Sequence, residues 1–430
     1  MIDESQHQTY SDDWRRTNPD LAFFLPPAPP EWQESVDHVL VSLTREGALL
    51  AIWTYCTQEH AADESIMVRR SEDGGRTWSG PDVLAGPGRY PGQVASFGFP
   101  VMSQGGRIYC FYNRSTGLGD SYTNAFLECK VSDDDGRTWV DGNVQIPFRH
   151  TRFDLTDPKA GASCIVWQKP IRDRNNKHIV GITRWTSERV RRRTPASARA
   201  PRGVGDCHVE FLRFENIDDE PDPQDLELTW LPDSDDLVSS PVMFDTEYTA
   251  GYSFCQEPGL VLLPDGRLFA SMRTPNGQIW YTVSADDGHS WRPSEMLRFQ
   301  DGGAPMENPV SPTPLYRLHD GRYIQLLQNH DGWGYNGFGP LNSDSRRPQF
   351  LAVGEFRPNA HQPLWFSEPL LLFDTDGVGI APHYRPWLSM YSSLTEREGE
   401  RILWYSDRKL FGLGRYITDE MLAPLTVPEA

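Results

Sequence analysis

Apolar and polar residues alternate with a period of two over many short runs of this chain. Ser65-Ile-Met-Val-Arg-Arg, Ala125-Phe-Leu-Glu-Cys-Lys-Val and Gln278-Ile-Trp-Tyr-Thr-Val are three examples. A period of two puts alternate side chains on opposite faces of a pleated strand, so these runs predict half-buried β-strands. Each leads into the pattern Ser-x-Asp-x-Gly-x-x-Trp: Ser71 to Trp78, Ser132 to Trp139 and Ser284 to Trp291. The chemistry of that pattern is a turn. Asp accepts from nearby backbone N–H groups, Gly takes a positive φ, and Ser adds a local bond. The Trp is then expected to plug the apolar layer below.

A second repeated unit is a strand–turn–strand with Gly at the turn. It recurs around Gly47, Gly105, Gly266 and Gly321, and more loosely over Thr395 to Tyr405. Strand units repeating at roughly 40 to 60 residues, four strands to a unit, predict propeller blades. The units fall near 36–80, 97–145, 161–232, 253–297, 310–370 and 386–420. The expected fold class is therefore all-β, a single six-bladed β-propeller over 36–430. Residues 1–35, with Leu25-Pro-Pro-Ala-Pro-Pro30, read as an extended lead-in. No long amphipathic helix is predicted.

Charge narrows the partners. The chain has 41 basic and 60 acidic residues, a net charge of −19. Such a surface repels phosphate backbones and anionic lipid, which argues against nucleic-acid and membrane partners. The basic stretch from Arg189 to Arg202 is interleaved with Pro and Ala and reads as a solvated loop. The N-terminus carries no basic and apolar leader pattern, and the six cysteines are scattered with no CxxC pair. Both features lead to the expectation of a cytoplasmic protein with reduced thiols. The eleven histidines have no HxxH or HExxH spacing, so neither a metal nor another cofactor is expected. Oligomeric state is left open.

The repeated box resembles the Asp box of the sialidase superfamily, also called the BNR repeat. The sharpest likeness is Glu257-Pro-Gly-Leu-Val-Leu-Leu-Pro-Asp-Gly-Arg-Leu-Phe-Ala-Ser-Met-Arg273. The resemblance implies that Glu257 assists a nucleophile and that Arg273 grips a substrate carboxylate. Ser389-Met-Tyr391-Ser-Ser-Leu is similar to the family's Tyr-Ser-x-Leu stretch, which makes Tyr391 the implied nucleophile. A phenol with an ordinary pKa near 10 needs an adjacent base, a task Glu257 can perform. Ser345-Arg346-Arg347-Pro resembles the region of another carboxylate-binding arginine, and either Arg346 or Arg347 can fill it. The family's acidic proton donor lies before the first box, where this chain offers Glu59, His60 and Asp63; Asp63 is the implied catalytic acid. One departure stands out. The family's first arginine belongs where this chain has Val36-Asp37-His38, and Asp37 would set like charge beside an anionic substrate.

Two further stretches are unusual for scaffold: the first has the composition of a sugar-binding loop, and the second offers an extra cation and a His that could act as acid or base. Gln328 to Gly339 contributes His330, Asp331 and Tyr335, and Pro382 to Trp387 contributes His383 and Arg385. Together these residues imply a sialidase-like exo-glycoside hydrolase that removes a terminal acidic sugar from a glycan by a retaining Tyr/Glu mechanism. The alternatives are a polysaccharide lyase acting on uronate-containing glycans and a sugar-binding propeller without catalysis.

Overall fold

The structure is a computed structural model that describes residues 13–26, 35–59, 61–87, 93–119, 123–191, 205–242, 252–333, 339–380, 385–388 and 390–429. The alternating runs form strands, and neighbours in sequence pair antiparallel. Ser35–Leu43, Leu49–Cys56, Ser65–Ser71 and Asp82–Ala85 make one four-stranded sheet. Gln256–Leu262, Leu268–Arg273, Trp280–Ser284 and Glu295–Met296 make another. Leu315–Arg317, Tyr323–Leu327, Gln349–Phe356 and Leu364–Phe366 make a third, with Leu370–Phe373 also pairing on Gln349–Phe356.

The remaining strands depart from the expected boundaries. Ser393–Arg397, Glu400–Asp407 and Phe411–Tyr416 take their outermost partner from the chain's other end, Leu21–Phe24. The stretch read as a lead-in thus supplies a strand. Its apolar content explains why: Phe23 lies edge-on to Trp53 and Trp404, with ring centroids 5.5 and 6.3 Å away. The chain from Ala95 to Leu231 forms a nine-stranded sheet. It consists of two antiparallel meanders that meet through the short pairing of Ala162 with Ala125 and Ser163 with Asn124.

The three boxes share one hydrogen-bond pattern. The hydroxyls of Ser71, Ser132 and Ser284 donate to Asp73, Asp134 and Asp286 at 2.9, 2.8 and 2.9 Å. They accept the amides of Gly75, Gly136 and Gly288 at 2.8, 2.9 and 2.8 Å. Each Asp also accepts from the amide and hydroxyl four residues on, at Thr77, Thr138 and Ser290. Gly75 has φ +88°, and a Cβ there would stand 2.6 Å from the Trp404 ring, so the turn also fixes how closely two sheets approach. Trp78 meets Trp404 edge-on at 5.6 Å, while Trp291 stacks on Phe211 at 4.2 Å. The box tryptophans therefore pack between neighbouring sheets, and the six cysteines are free and buried among them.

A second recurrent device was not anticipated. Three strands carry a bulge near their start, between Asp37 and Leu40, Ser96 and Phe99, and Gln256 and Gly259. Within those bulges His38, Phe97 and Glu257 have φ of 54°, 56° and 51°. Left-handed backbone at a non-glycine residue costs roughly 1–2 kcal/mol, so a strain repeated three times marks a place where the fold holds side chains in fixed directions. The rings of His38 and Phe97 are 4.4 Å apart, and His38 is 4.7 Å from the Tyr391 ring. The bulged strand starts from different sheets thus converge on one point.

Candidate active site

The site begins with strand register. Gln256 pairs with Arg273 across the hairpin, which places the next residue, Glu257, beside the Arg273 side chain. The Glu257 amide donates to Thr183 Oγ1 at 2.7 Å, anchoring the bulge to a neighbouring strand. Glu257 Oε1 accepts from Arg273 Nη1 at 2.8 Å and from the Tyr391 hydroxyl at 3.0 Å. Arg273 Nη1 is also 3.3 Å from that hydroxyl. The contact joins residues 134 positions apart, and both are enclosed: Glu257 is 2% and Tyr391 5% exposed. The second carboxylate oxygen, Oε2, is buried with no hydrogen-bond partner among the described residues.

Burial and the Glu257 charge push the Tyr391 phenol up, against the pull of Arg273, Lys409 and Arg346. It is a neutral hydroxyl at physiological pH, with a carboxylate positioned to take its proton. Burial alone would lower Arg273, but Glu257 and Tyr391 outweigh it and raise the guanidinium. Arg346 is buried too, and desolvation together with the charge of Arg273 lowers it. Its Nε donates to the Val310 carbonyl at 2.9 Å. Two guanidinium groups and a carboxylate thus act electrostatically on one phenol.

Comparison with known proteins agrees with this arrangement at the level of fold. A family model described as a BNR repeat-like domain matches residues 47–200. No curated protein matches the sequence. Among solved structures, the chain is similar to a protein of unknown function from Dyadobacter fermentans, at 12% identity and TM-score 0.59, covering 93% of this chain and 97% of that one. It is similar to the intramolecular trans-sialidase from Ruminococcus gnavus, at 12% identity and TM-score 0.57, covering 92% and 96%. The NanB sialidase from Streptococcus pneumoniae gives 10% identity and TM-score 0.59, covering 95% and 71%. The chain shares the all-β, propeller-like fold of these structures.

Arg346 and Arg347 have different surroundings. Arg347 is held by Asp374 through Nε at 2.8 Å and Nη2 at 2.5 Å, whereas the charge of Arg346 reaches Tyr391, Glu257 and Arg273. Asp37 and His38, the residues expected at the place of the family's first arginine, lie at the bulge of Ser35–Leu43. Asp37 does not stand there as an uncompensated charge, however. Lys409 Nζ lies 3.0 Å from Asp37 and 2.7 Å from Glu59, and 5.3 Å from the centre of the Tyr391 ring. Lys409 was missed because Asp407-Arg408-Lys409 reads as an ordinary charged turn. Its role depends on a contact between the two ends of the chain.

The other sequence candidates are distributed differently. Asp63 Oδ2 accepts the Thr57 amide at 3.0 Å and so braces its own loop. No contact of Asp63 with Tyr391 or Glu257 occurs among the described residues. His330 donates from Nε2 to the Arg347 carbonyl at 2.8 Å and accepts the Gly332 amide at Nδ1 at 3.1 Å. That arrangement fixes a neutral tautomer, and burial lowers its pKa. Asp331 packs against Gly277, and its charge adds to the burial that raises Glu307. Arg385 sits 4.5 Å over the Trp387 ring, and Arg346 approaches the same ring at 5.4 Å. His60, Tyr335 and His383 lie outside the described residues. Among the described residues no cluster of three or more His, Cys, Asp or Glu side chains could hold a metal ion.

His38 gives a pH prediction. It is buried, both ring nitrogens lack partners among the described residues, and burial pushes its pKa down to about 3. Above about pH 6.5 the ring is neutral in both folded and unfolded chains, so it contributes nothing. As pH falls below that value the unfolded chain binds a proton that the folded chain refuses, and stability is lost down to about pH 3. A depression of that size corresponds to roughly 4–5 kcal/mol at the acid end. His38→Asn keeps a residue that tolerates left-handed backbone. Urea denaturation at pH 7 and pH 4 should therefore find the variant losing less stability than the parent; equal losses would refute the buried neutral histidine.

Proposed function

We propose that this protein is an exo-acting glycoside hydrolase that removes a terminal acidic sugar from a glycan. The observation that carries the reading is the buried Tyr391–Glu257–Arg273 contact, in which a phenol shares a carboxylate oxygen with a guanidinium. In the proposed reaction the Tyr391 oxygen attacks the anomeric carbon while its proton passes to Glu257 Oε1. The glycosidic bond breaks as an acid protonates the leaving oxygen, a role we assign to Asp63. Water then cleaves the glycosyl-tyrosine bond and the phenol regains its proton, so configuration is retained. A neutral phenol suits an anionic substrate better than a carboxylate nucleophile, which would repel it. Arg273 and Arg346 supply the cations for the sugar's acidic group. In this reading the nine-stranded sheet counts as two blades fused at Ala162 and Ser163, which makes six blades around one channel.

The substitution of His38 and a Lys409-paired Asp37 for an arginine removes one bidentate donor from the carboxylate site. The expected result is weak release of fluorophore from a 4-methylumbelliferyl α-sialoside and faster, saturable release from another acidic glycoside, with mass analysis of products from a glycan panel as the check. Rapid turnover of the sialoside would overturn the assigned specificity. A 4,5-unsaturated product absorbing in the near ultraviolet would replace hydrolase by lyase. Binding of glycans without turnover would leave a sugar-binding propeller.

A further inference from the structure

The strands that carry the candidate active site also reach a second cavity. Glu257 stands near the start of Gln256–Leu262, whose end lines a cavity of about 280 Å³. At about 3.3 Å per residue, Val261 lies roughly 13 Å along the strand from Glu257, and the lining also includes Ser392, which follows Tyr391 in the chain. Leu260, Leu262, Tyr316 and Leu394 form apolar wall, and Lys169, Arg172, Arg317, His319 and Glu396 supply the charged and titratable groups.

Lys169 is the unusual member. Its Nζ donates to the carbonyls of Val41 and Leu394 at 2.8 and 2.9 Å, on two different strands. The sequence has only five lysines. Lys130 and Lys409 are each paired with carboxylates, whereas Lys169 touches none among the described residues. The nearby Glu396 carboxylate accepts from Arg401 and from the His319 amide and lies 3.8 Å from the His319 ring, and Arg172 is paired with Asp218. Arg317 has no carboxylate partner among the described residues. Burial pushes the Lys169 pKa down to about 8, so about a tenth of the amine is unprotonated at pH 7 and about half at pH 8. A neutral amine has two hydrogens and one lone pair. Here two carbonyls accept the two hydrogens, which leaves the lone pair unengaged in a side chain that lines the cavity.

We propose that Lys169 is a covalent binding site for a small aldehyde or ketone with an anionic end, held as an imine with that end at Arg317 and His319. The amine nitrogen forms a bond to the carbonyl carbon. The carbonyl oxygen leaves as water with the two amine hydrogens, and no oxidant or reductant is consumed. The neutral imine has no N–H; once it takes up a proton, the single N–H so formed serves one of the two backbone carbonyls. The site is independent of the glycosidase reading, since it shares no side chain with Tyr391, Glu257 or Arg273.

The test uses the full chain with pyridoxal 5′-phosphate as probe, borohydride to reduce the imine to a stable secondary amine, and peptide mass spectrometry over all five lysines. At pH 8 the free-base fraction favours Lys169 over an ordinary lysine by about two orders of magnitude, so labelling should exceed that of exposed Lys159 by about tenfold or more even with restricted access. Labelling should rise with pH to a half-maximum near 8. Arg317→Ala should weaken capture of the phosphorylated probe several-fold and leave capture of pyridoxal unchanged. Equal or slower labelling of Lys169 relative to Lys159 would overturn the site. An Arg317→Ala variant that captures both probes like the parent would overturn the anionic end.

Discussion

Replacing Tyr391 by Phe should lower kcat by roughly 10²- to 10⁴-fold on any substrate the protein turns over, with a melting temperature close to the parent's. The substitution deletes one hydroxyl and leaves the ring packed against His38 and Trp167. Glu257→Gln should lower kcat by a similar factor, but its stability will not be spared. Arg273 is largely enclosed and pairs with Glu257 at 2.8 Å, so a neutral amide leaves a partly desolvated cation without that counter-charge. Residues that act as one unit are not additive, so the double variant should turn over little more slowly than the slower single variant. Steady-state kinetics with thermal melts on the same preparations make the check. A Tyr391→Phe variant with full kcat would end the nucleophile assignment, while a low melting temperature with normal turnover would make the tyrosine structural.

The parts of this molecule that sequence discloses are those whose cause is local. The boxes at Ser71, Ser132 and Ser284 are legible because Ser, Asp and Gly satisfy each other within four residues. Glu257 and Arg273 are legible because one hairpin sets their register. What escapes is whatever needs distant segments. Leu21–Phe24 has no local feature that assigns it to Phe411–Tyr416; only the apolar surface around Trp53 and Trp404 selects it. Lys409 looks solvated in sequence and is enclosed by Asp37 and Glu59 in space. Thr183 reads as a strand residue, yet its hydroxyl accepts the amide of the strained Glu257. The different surroundings of Arg346 and Arg347 likewise depend on Asp374, 27 positions from Arg347.

Arg184→Met should cost about 3–5 kcal/mol of folding stability, a large share of what a domain of this kind possesses. Arg184 is fully buried. Its Nε donates to Glu210 at 2.7 Å, its Nη1 to Asp154 at 2.7 Å, and its Nη2 to the Arg149 carbonyl at 2.9 Å. Removing the guanidinium leaves two enclosed carboxylates, of which Glu210 retains Arg149 at 3.3 Å and Asp154 retains the amide and hydroxyl of Thr151. Neither arrangement replaces a planar cation that bridges both acids. Arg184→Lys should recover only part of the loss, because an ammonium cannot present the same fork to two acids and a carbonyl. Denaturant midpoints of the three proteins should therefore fall in the order parent, Lys variant, Met variant. The effect should also reach the candidate active site, since the adjacent Thr183 holds the Glu257 amide. Below its melting transition the Lys variant should show a reduced kcat with KM nearly unchanged. A Met variant with the parent's midpoint would mean that the buried pair contributes nothing net to the fold.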